Sequence, residues 1–313
     1  MAIKLAAPDI EKMFSEKVSG CVARQINGYG LAYLDITRKE HDACVRKIVN
    51  TLLDPGIIRA GEKRIDQWER GWGENLGELA GGISEEAVIP KYFGKYDIVR
   101  LRQKFVRCAS KDFEYYSLCV ILDWLFDKYF RNAGSIYEFG CGTGHNLLRA
   151  RKVNPSAKMY GLDWAISSQE IIKRIVVNGV DRNMFARRFD LFNPDTGFAL
   201  DNNSIVYTVA ALEQVGDRFE KFIDYLLKNT PALCVHVEPV AELLDDNNLL
   251  DYLSIEYFKK RNYLNGFLSY LRKLEAKGGI EIIKAQRTYL GSFFIDGYSV
   301  VVWRPKHQRK GKT

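Results

Sequence analysis

The chain has 313 residues, 47% of them hydrophobic and 27% charged, a balance that requires a packed core and excludes an intrinsically disordered chain. Its apolar stretches run to about ten residues, too short to span a bilayer, and the first residues lack the apolar centre of a secretion signal. Six cysteines without a Cys-x-x-Cys pair exclude a zinc ribbon and read as reduced thiols, so a cytoplasmic protein is expected. Part of the net charge of +7 sits in the basic tail 304–312, which reads as a solvated terminus or, alternatively, as a contact for nucleic acid.

Residues 1–130 read as a mainly helical cap or substrate region. Segments 40–53 and 113–130 have helical period, and strand signals are scarce. Residues 68–92 are rich in glycine and aromatic side chains, which predicts an ordered loop because glycine disfavours a helix. Trp68 and Trp72 in it offer a stacking surface for a sugar or an anchor in the core.

Residues 131–313 alternate strand-like and helix-like segments, the pattern of an α/β fold with a mostly parallel sheet. Strands are predicted at 135–139, 158–162, 184–189, 204–209 and 232–237, with two more at 280–284 and 298–303. A helix is predicted from Gly144, and another from Ser167, with Glu170 completing a capping box and Gly179 as its stop. A third helix starts at Asp217. The last two strands are joined by too few residues for a crossover helix, so they are expected to pair as an antiparallel hairpin. A helical insert, 240–279, reads as a substrate lid or as a packing pair of helices.

Chemistry is carried first by Glu138-Phe139-Gly140-Cys141-Gly142-Thr143-Gly144, a glycine-rich turn between a strand and a helix. Such a turn lets a ligand approach the backbone closely. A dinucleotide site has Gly-x-Gly-x-x-Gly, but the third glycine position of that pattern is occupied here by His145. Glu138 stands two residues before the first glycine, where a carboxylate repels a pyrophosphate and suits a cationic amine. Asp163 ends the second predicted strand, a place from which a carboxylate accepts both hydroxyls of a ribose. Asp190 ends the third.

With these residues in place, segment 134–303 resembles the class I S-adenosylmethionine-dependent methyltransferases. The resemblance implies S-adenosylmethionine as cofactor and a seven-stranded, doubly wound, mostly parallel sheet, the Rossmann-like methyltransferase fold. It implies that Gly140, Gly142 and Gly144 wrap the methionine part. It also implies that Trp164 packs on the adenine, while Asp190 accepts from the exocyclic amine with Phe189 and Leu191 along the ring. Ahead of the sheet, Tyr92, Arg102 and Tyr116 are expected over the cofactor, an arginine meeting its carboxylate, or else in packing and surface charge.

The acceptor is less clearly written. Residues 208–214 lack the Asn/Asp-Pro-Pro-Tyr segment of enzymes that methylate base amino groups. No Asp-Asn cluster follows the fourth and fifth strands, so no metal is expected. Transfer to a hydroxyl requires an in-line acceptor and a group that takes its proton. The candidates are Glu213, His236 and Glu238. His236 and Glu238 share a strand face and read as a base with an orienting carboxylate, or as a core histidine beside a carboxylate. His145 reads as an exposed first-turn residue. The N-terminal half, Ala211-Leu212-Glu213-Gln214, His236-Val237-Glu238-Pro239 and the insert are similar to bacterial methyltransferases that modify sugars or polysaccharide precursors. That likeness implies methyl transfer to a hydroxyl of a sugar, glycan or related polar small molecule. Another small metabolite, RNA, or cofactor binding without catalysis are the alternatives. Oligomeric state is not written in the sequence.

Overall fold

The computed structural model describes residues 1–79, 82–84 and 86–306, so the tail beyond Lys306 and its expected nucleic-acid contact lie outside the described residues. In chain order the N-terminal region holds β1 (Ile3–Lys4), α1 (Ala7–Phe14), α2 (Gly20–Gly28), β2 (Ala32–Asp35), α3 (Arg38–Leu53), α4 (Ile65–Glu78), β3 (Ile98–Leu101), β4 (Lys104–Cys108) and α5 (Phe113–Tyr129). The four strands form an antiparallel sheet in the order β1-β2-β4-β3, which the sequence did not announce. They are two to five residues long, too short to show a period of two.

α4 corrects the first part of the expected loop, residues 68–78, while residues 82–84 and 86–92 are turn and irregular chain as expected. It is a helix despite Gly71, Gly73 and Gly77, because Trp72 and Asn75 are buried and the helix packs along α7 (Ile166–Val177). Tertiary burial here outweighs the roughly 1 kcal/mol that each glycine costs a helix. The Asn75 amide then donates to the carbonyls of Ala87 and Ile89, both at 2.9 Å, and fixes the chain that follows.

The main sheet contains β5 (Ser135–Phe139), β6 (Lys158–Asp163), β7 (Met184–Arg188), β8 (Ser204–Val209), β9 (Leu233–Glu238), β10 (Ile280–Arg287) and β11 (Ser299–Pro305). Its order is β10-β11-β9-β8-β5-β6-β7. The pairs among β5 to β9 are parallel, and β11 is antiparallel to both β9 and β10. This is the expected doubly wound, mostly parallel Rossmann-like methyltransferase sheet, hairpin included. α6 (His145–Val153) and α7 follow β5 and β6, and α8 (Glu220–Asn229) lies between β8 and β9.

Alternation along the strands sorts the core into two layers. Ile136, Tyr207, Val235 and Val302 face the side of α5, α6 and α7, and Tyr137, Val206, Cys234 and Trp303 face the side of α8 and α10 (Phe267–Ala276). The insert is therefore no free flap. Phe267, Leu268 and Leu271 of α10 are fully buried, and α9 (Leu249–Arg261) packs Leu250 and Leu253 against Ile48, Ile98 and Phe293. Arg287 grips Asp251 with two hydrogen bonds, at 2.6 and 2.7 Å, tying α9 to β10. No helix among the described residues is long and apolar enough to cross a membrane.

The strand order reverses between β5 and β8. A crevice opens at such a point beyond the C-terminal strand ends. The candidate site lies there.

Candidate active site

The glycine turn after β5 forms the floor of a cleft. Gly140 has φ of 76°, and a Cβ there would stand 2.3 Å from the Ala211 Cβ. Gly142 has φ of 52°, and a Cβ there would stand 2.7 Å from the Trp72 ring. Only glycine fits a turn squeezed between the loop after β8 and α4. Asp163, at the end of β6, accepts from the Gly142 N–H through Oδ2 and from the Ala165 N–H through Oδ1, both at 2.9 Å. It thus lashes two strand ends together while facing the cleft. Burial pushes its carboxyl up to about 6, against the pull of these backbone donors.

One wall is apolar, built from Trp164, Phe189, Leu191 and Phe192. The roof comes from α4, whose Trp68 and Trp72 stack at 5.4 Å, with Tyr92 edge-on to Trp72. His145 and Asn146, at the start of α6, complete the polar side. His145 is buried, not exposed as expected, because α4 and the segment after it close over the first turn of α6. Burial pulls its imidazole down to about 3, so it is neutral. The His145 Nε2, the Asn146 Oδ1 and the Trp68 Nε1 are buried without a partner among the described residues. Buried polar atoms are nearly always paired, so three such atoms around one cleft fit a ligand with polar groups of its own. A flat apolar wall facing a carboxylate and a polar end suits a nucleoside joined to an amino-acid part.

Several expected residues stand elsewhere. Glu138 is fully buried behind the cleft wall. It accepts from the Asn146 amide at 2.8 Å and from the Tyr207 hydroxyl at 2.9 Å, so it orients Asn146 and does not itself line the cleft. Gly144 begins α6 and packs on Ile172. Asp190 accepts from the Phe192 N–H at 2.8 Å and from the Asn193 amide, so it shapes the loop that presents Leu191 and Phe192. Arg102 lies in the β3–β4 turn and pairs with Asp9 at 3.2 Å on the half-exposed surface, away from the cleft, because its backbone is pinned to Tyr289. Tyr116 stacks on Tyr29 at 4.8 Å in the packing against α5.

The three proton-acceptor candidates also separate. His236 and Glu238 do share a strand face, but that face is core. The His236 Nε2 accepts from the Trp303 indole and its Nδ1 meets the Thr208 hydroxyl, both at 3.0 Å. Glu238 accepts three backbone N–H groups, from Ala211, Leu212 and Glu213, at 3.0 to 3.1 Å. Glu213 accepts from the Gln214 amide at 2.7 Å through Oε1, and its buried Oε2 has no partner among the described residues. Gln214 lines the cleft, so the Glu213 carboxyl is one hydrogen bond from it. No group of three His, Cys, Asp or Glu suited to a metal occurs among the described residues.

Sequence reasoning named Trp68, Trp72 and Tyr92 of the roof but missed the helix that carries the two tryptophans. The i, i+4 spacing of Trp68 and Trp72 was its signal, hidden by Gly71 between them and by Gly73 and Gly77 after them. It also misplaced the cap of α7. The expected box of Ser167 and Glu170 does not form, and Glu69 of α4 accepts from the N–H groups of Ile166 and Ser167, at 2.7 and 2.8 Å.

No protein-family model and no curated protein matches the chain. Solved structures similar to it include geranyl diphosphate methyltransferase in complex with GPP and sinefungin, 11% identical with a TM-score of 0.48, over 78% of this chain and 99% of that one. Magnesium protoporphyrin IX methyltransferase (ChlM) from Synechocystis PCC 6803 with bound SAM is 13% identical with a TM-score of 0.43, over 62% and 79%. A SAM-dependent methyltransferase from Aquifex aeolicus is 13% identical with a TM-score of 0.42, over 59% and 88%. The likeness is one of fold.

Proposed function

We propose that the chain is an S-adenosylmethionine-dependent methyltransferase acting on a hydroxyl of a sugar or related polar small molecule. One observation carries the reading: the glycine turn, Asp163 and the Trp164–Leu191 wall converge on one cleft at the switch point of the sheet. The cofactor, when bound, supplies a methyl group already activated on a sulfonium.

The protein's share is placement and proton removal. The backbone of Gly140 and Gly142 lies along the methionine part. Asp163 keeps lone pairs for the ribose hydroxyls beyond those it spends on Gly142 and Ala165. Trp164 and Leu191 hold the adenine. Trp68 and Trp72 exclude water from above. Glu213 takes the acceptor's proton, since it alone of the three candidates has an uncommitted oxygen.

The test is methyl transfer from labelled S-adenosylmethionine to sugars, nucleotide sugars and RNA offered in parallel. The expected outcome is label in a hydroxylated small molecule. Label in RNA alone would overturn the acceptor class and leave the cofactor reading standing.

A further inference from the structure

Three segments meet beside the cleft. They are residues 60–64, the loop after β8, and the end of α9. The Ala60 N–H donates to the Arg261 carbonyl at 2.7 Å, and the Asn265 N–H donates to the Gly216 carbonyl at 3.3 Å. The Asn262 amide donates to the Ala60 carbonyl at 3.3 Å, and Arg218 pairs with Glu62 at 3.2 Å. This junction brings two guanidinium groups, Arg64 and Arg261, into the electrostatic range of each other and of Glu213.

Neither arginine has a carboxylate partner at ion-pair distance among the described residues. Arg64 is 6% exposed. Its Nε donates to the Gln67 side chain at 3.1 Å, its Nη1 donates to Gln214, and its guanidinium lies 4.9 Å over the Trp68 ring. Arg261 donates from Nη2 to the Tyr263 hydroxyl at 3.2 Å, and its buried Nε has no partner among the described residues. The contrast within the same fold is sharp. Arg149 and Arg287 are withdrawn from solvent too, and each is met by an aspartate, Asp123 at 2.8 Å and Asp251 at 2.6 Å. Burying a charge without a counter-charge is costly. Glu213 can offset at most one of the two positive charges, and only when ionised. Glu238 is already met by three backbone N–H groups, so an excess of positive charge remains. Gln214 lines the cleft and is bonded to both Arg64 and Glu213, so this charge sits next to the proposed cofactor site.

We propose that Arg64 and Arg261 form the anion-binding half of the acceptor site, and that the acceptor is an acidic hydroxylated molecule. Its carboxylate or phosphate lies against the two guanidinium groups, and its nearby hydroxyl faces Glu213. This deepens the methyltransferase reading and rests on it for the role of the hydroxyl, while the anion site itself stands apart from it.

The test is titration calorimetry on the full chain in chloride-free buffer, with inorganic phosphate, glucuronate and glucose as probes, with and without S-adenosylhomocysteine. Saturable binding of phosphate or glucuronate is expected, at least about tenfold tighter than glucose. Which of the two binds more tightly assigns the acidic group. Arg261→Gln and Arg64→Gln each weaken anion binding about tenfold or more, Arg261→Lys recovers part of it, and S-adenosylhomocysteine affinity stays within about twofold in Arg261→Gln. Absence of saturable anion binding to the wild-type chain, or unchanged anion affinity in both Gln variants, overturns the proposal. Anion binding without S-adenosylhomocysteine binding sinks the methyltransferase reading alone. The reverse result sinks the anion site alone.

Discussion

Glu213 and His236 show how burial and partners decide which candidate can do chemistry. His236 has both ring nitrogens committed, and burial pulls its pKa down to about 3, so it is a neutral core residue. His236→Ala should cost about 2–4 kcal/mol in urea unfolding, from the cavity and the orphaned Trp303 N–H. Cofactor affinity should not change. A large loss of affinity with intact stability would return His236 to the site. For Glu213, burial first and then the neighbouring Glu238 charge push the pKa up to about 8 from 4.5. The native state therefore holds a proton that the unfolded chain releases between those values, and stability falls as pH rises from 4.5 to 8. Glu213→Gln should remove that dependence. Its stability relative to wild type should rise with pH by up to about 1.4 kcal/mol per unit in this window. If Glu213 takes the acceptor's proton, the wild-type turnover rate rises through pH 8, and the variant lacks this limb. Parallel stability curves would show that Glu213 is ordinary.

At the scale of elements, α4 does the most that the sequence did not foretell. Its carboxylate Glu69 caps a different helix, α7, directly after the Asp163 turn, so the roof and the Asp163 side of the cleft are fastened to each other. A cap supplied across the fold has no local signature, which is why the box of Ser167 and Glu170 was the natural expectation. Glu69→Ala should cost about 1–2 kcal/mol and loosen the cofactor, read by thermal melting with and without S-adenosylhomocysteine. A variant that loses neither stability nor the ligand-induced shift would separate α4 from the site. The buried parallel strands were legible, in contrast, since Ser135–Phe139 and Ser204–Val209 are buried along their whole length and read as short apolar runs.

At the scale of the molecule, the glycine turn and Asp163 of the proposed cofactor half were legible as residues of one cleft, and the proposed acceptor half was not. The glycine turn and Asp163 are local in sequence and sit at strand ends. The proposed acceptor side is assembled from residues 60–64, 210–216 and 261–265, which approach only through folding. Asp190 and Glu138 illustrate the remaining gap, since a carboxylate at a strand end turns to the backbone or to a neighbour as readily as to a ligand. Elsewhere, β3, α9 and the β10–β11 hairpin are joined by a buried set of charges: Arg100 beside Asp296, and Arg287 on Asp251. Asp251→Ala should destabilise the chain by about 3–5 kcal/mol, since it removes both short hydrogen bonds to Arg287 and leaves that buried guanidinium only Asp296, at 3.6 Å and already beside Arg100. A change under about 1 kcal/mol in urea unfolding would show that the network is dispensable. The measurement that bears most directly on the whole account is calorimetric titration of the full chain with S-adenosylhomocysteine. The account predicts one saturable site, weakened about ten- to a hundredfold by Asp163→Ala. No binding to the wild-type chain, or equal affinity in the variant, would contradict it.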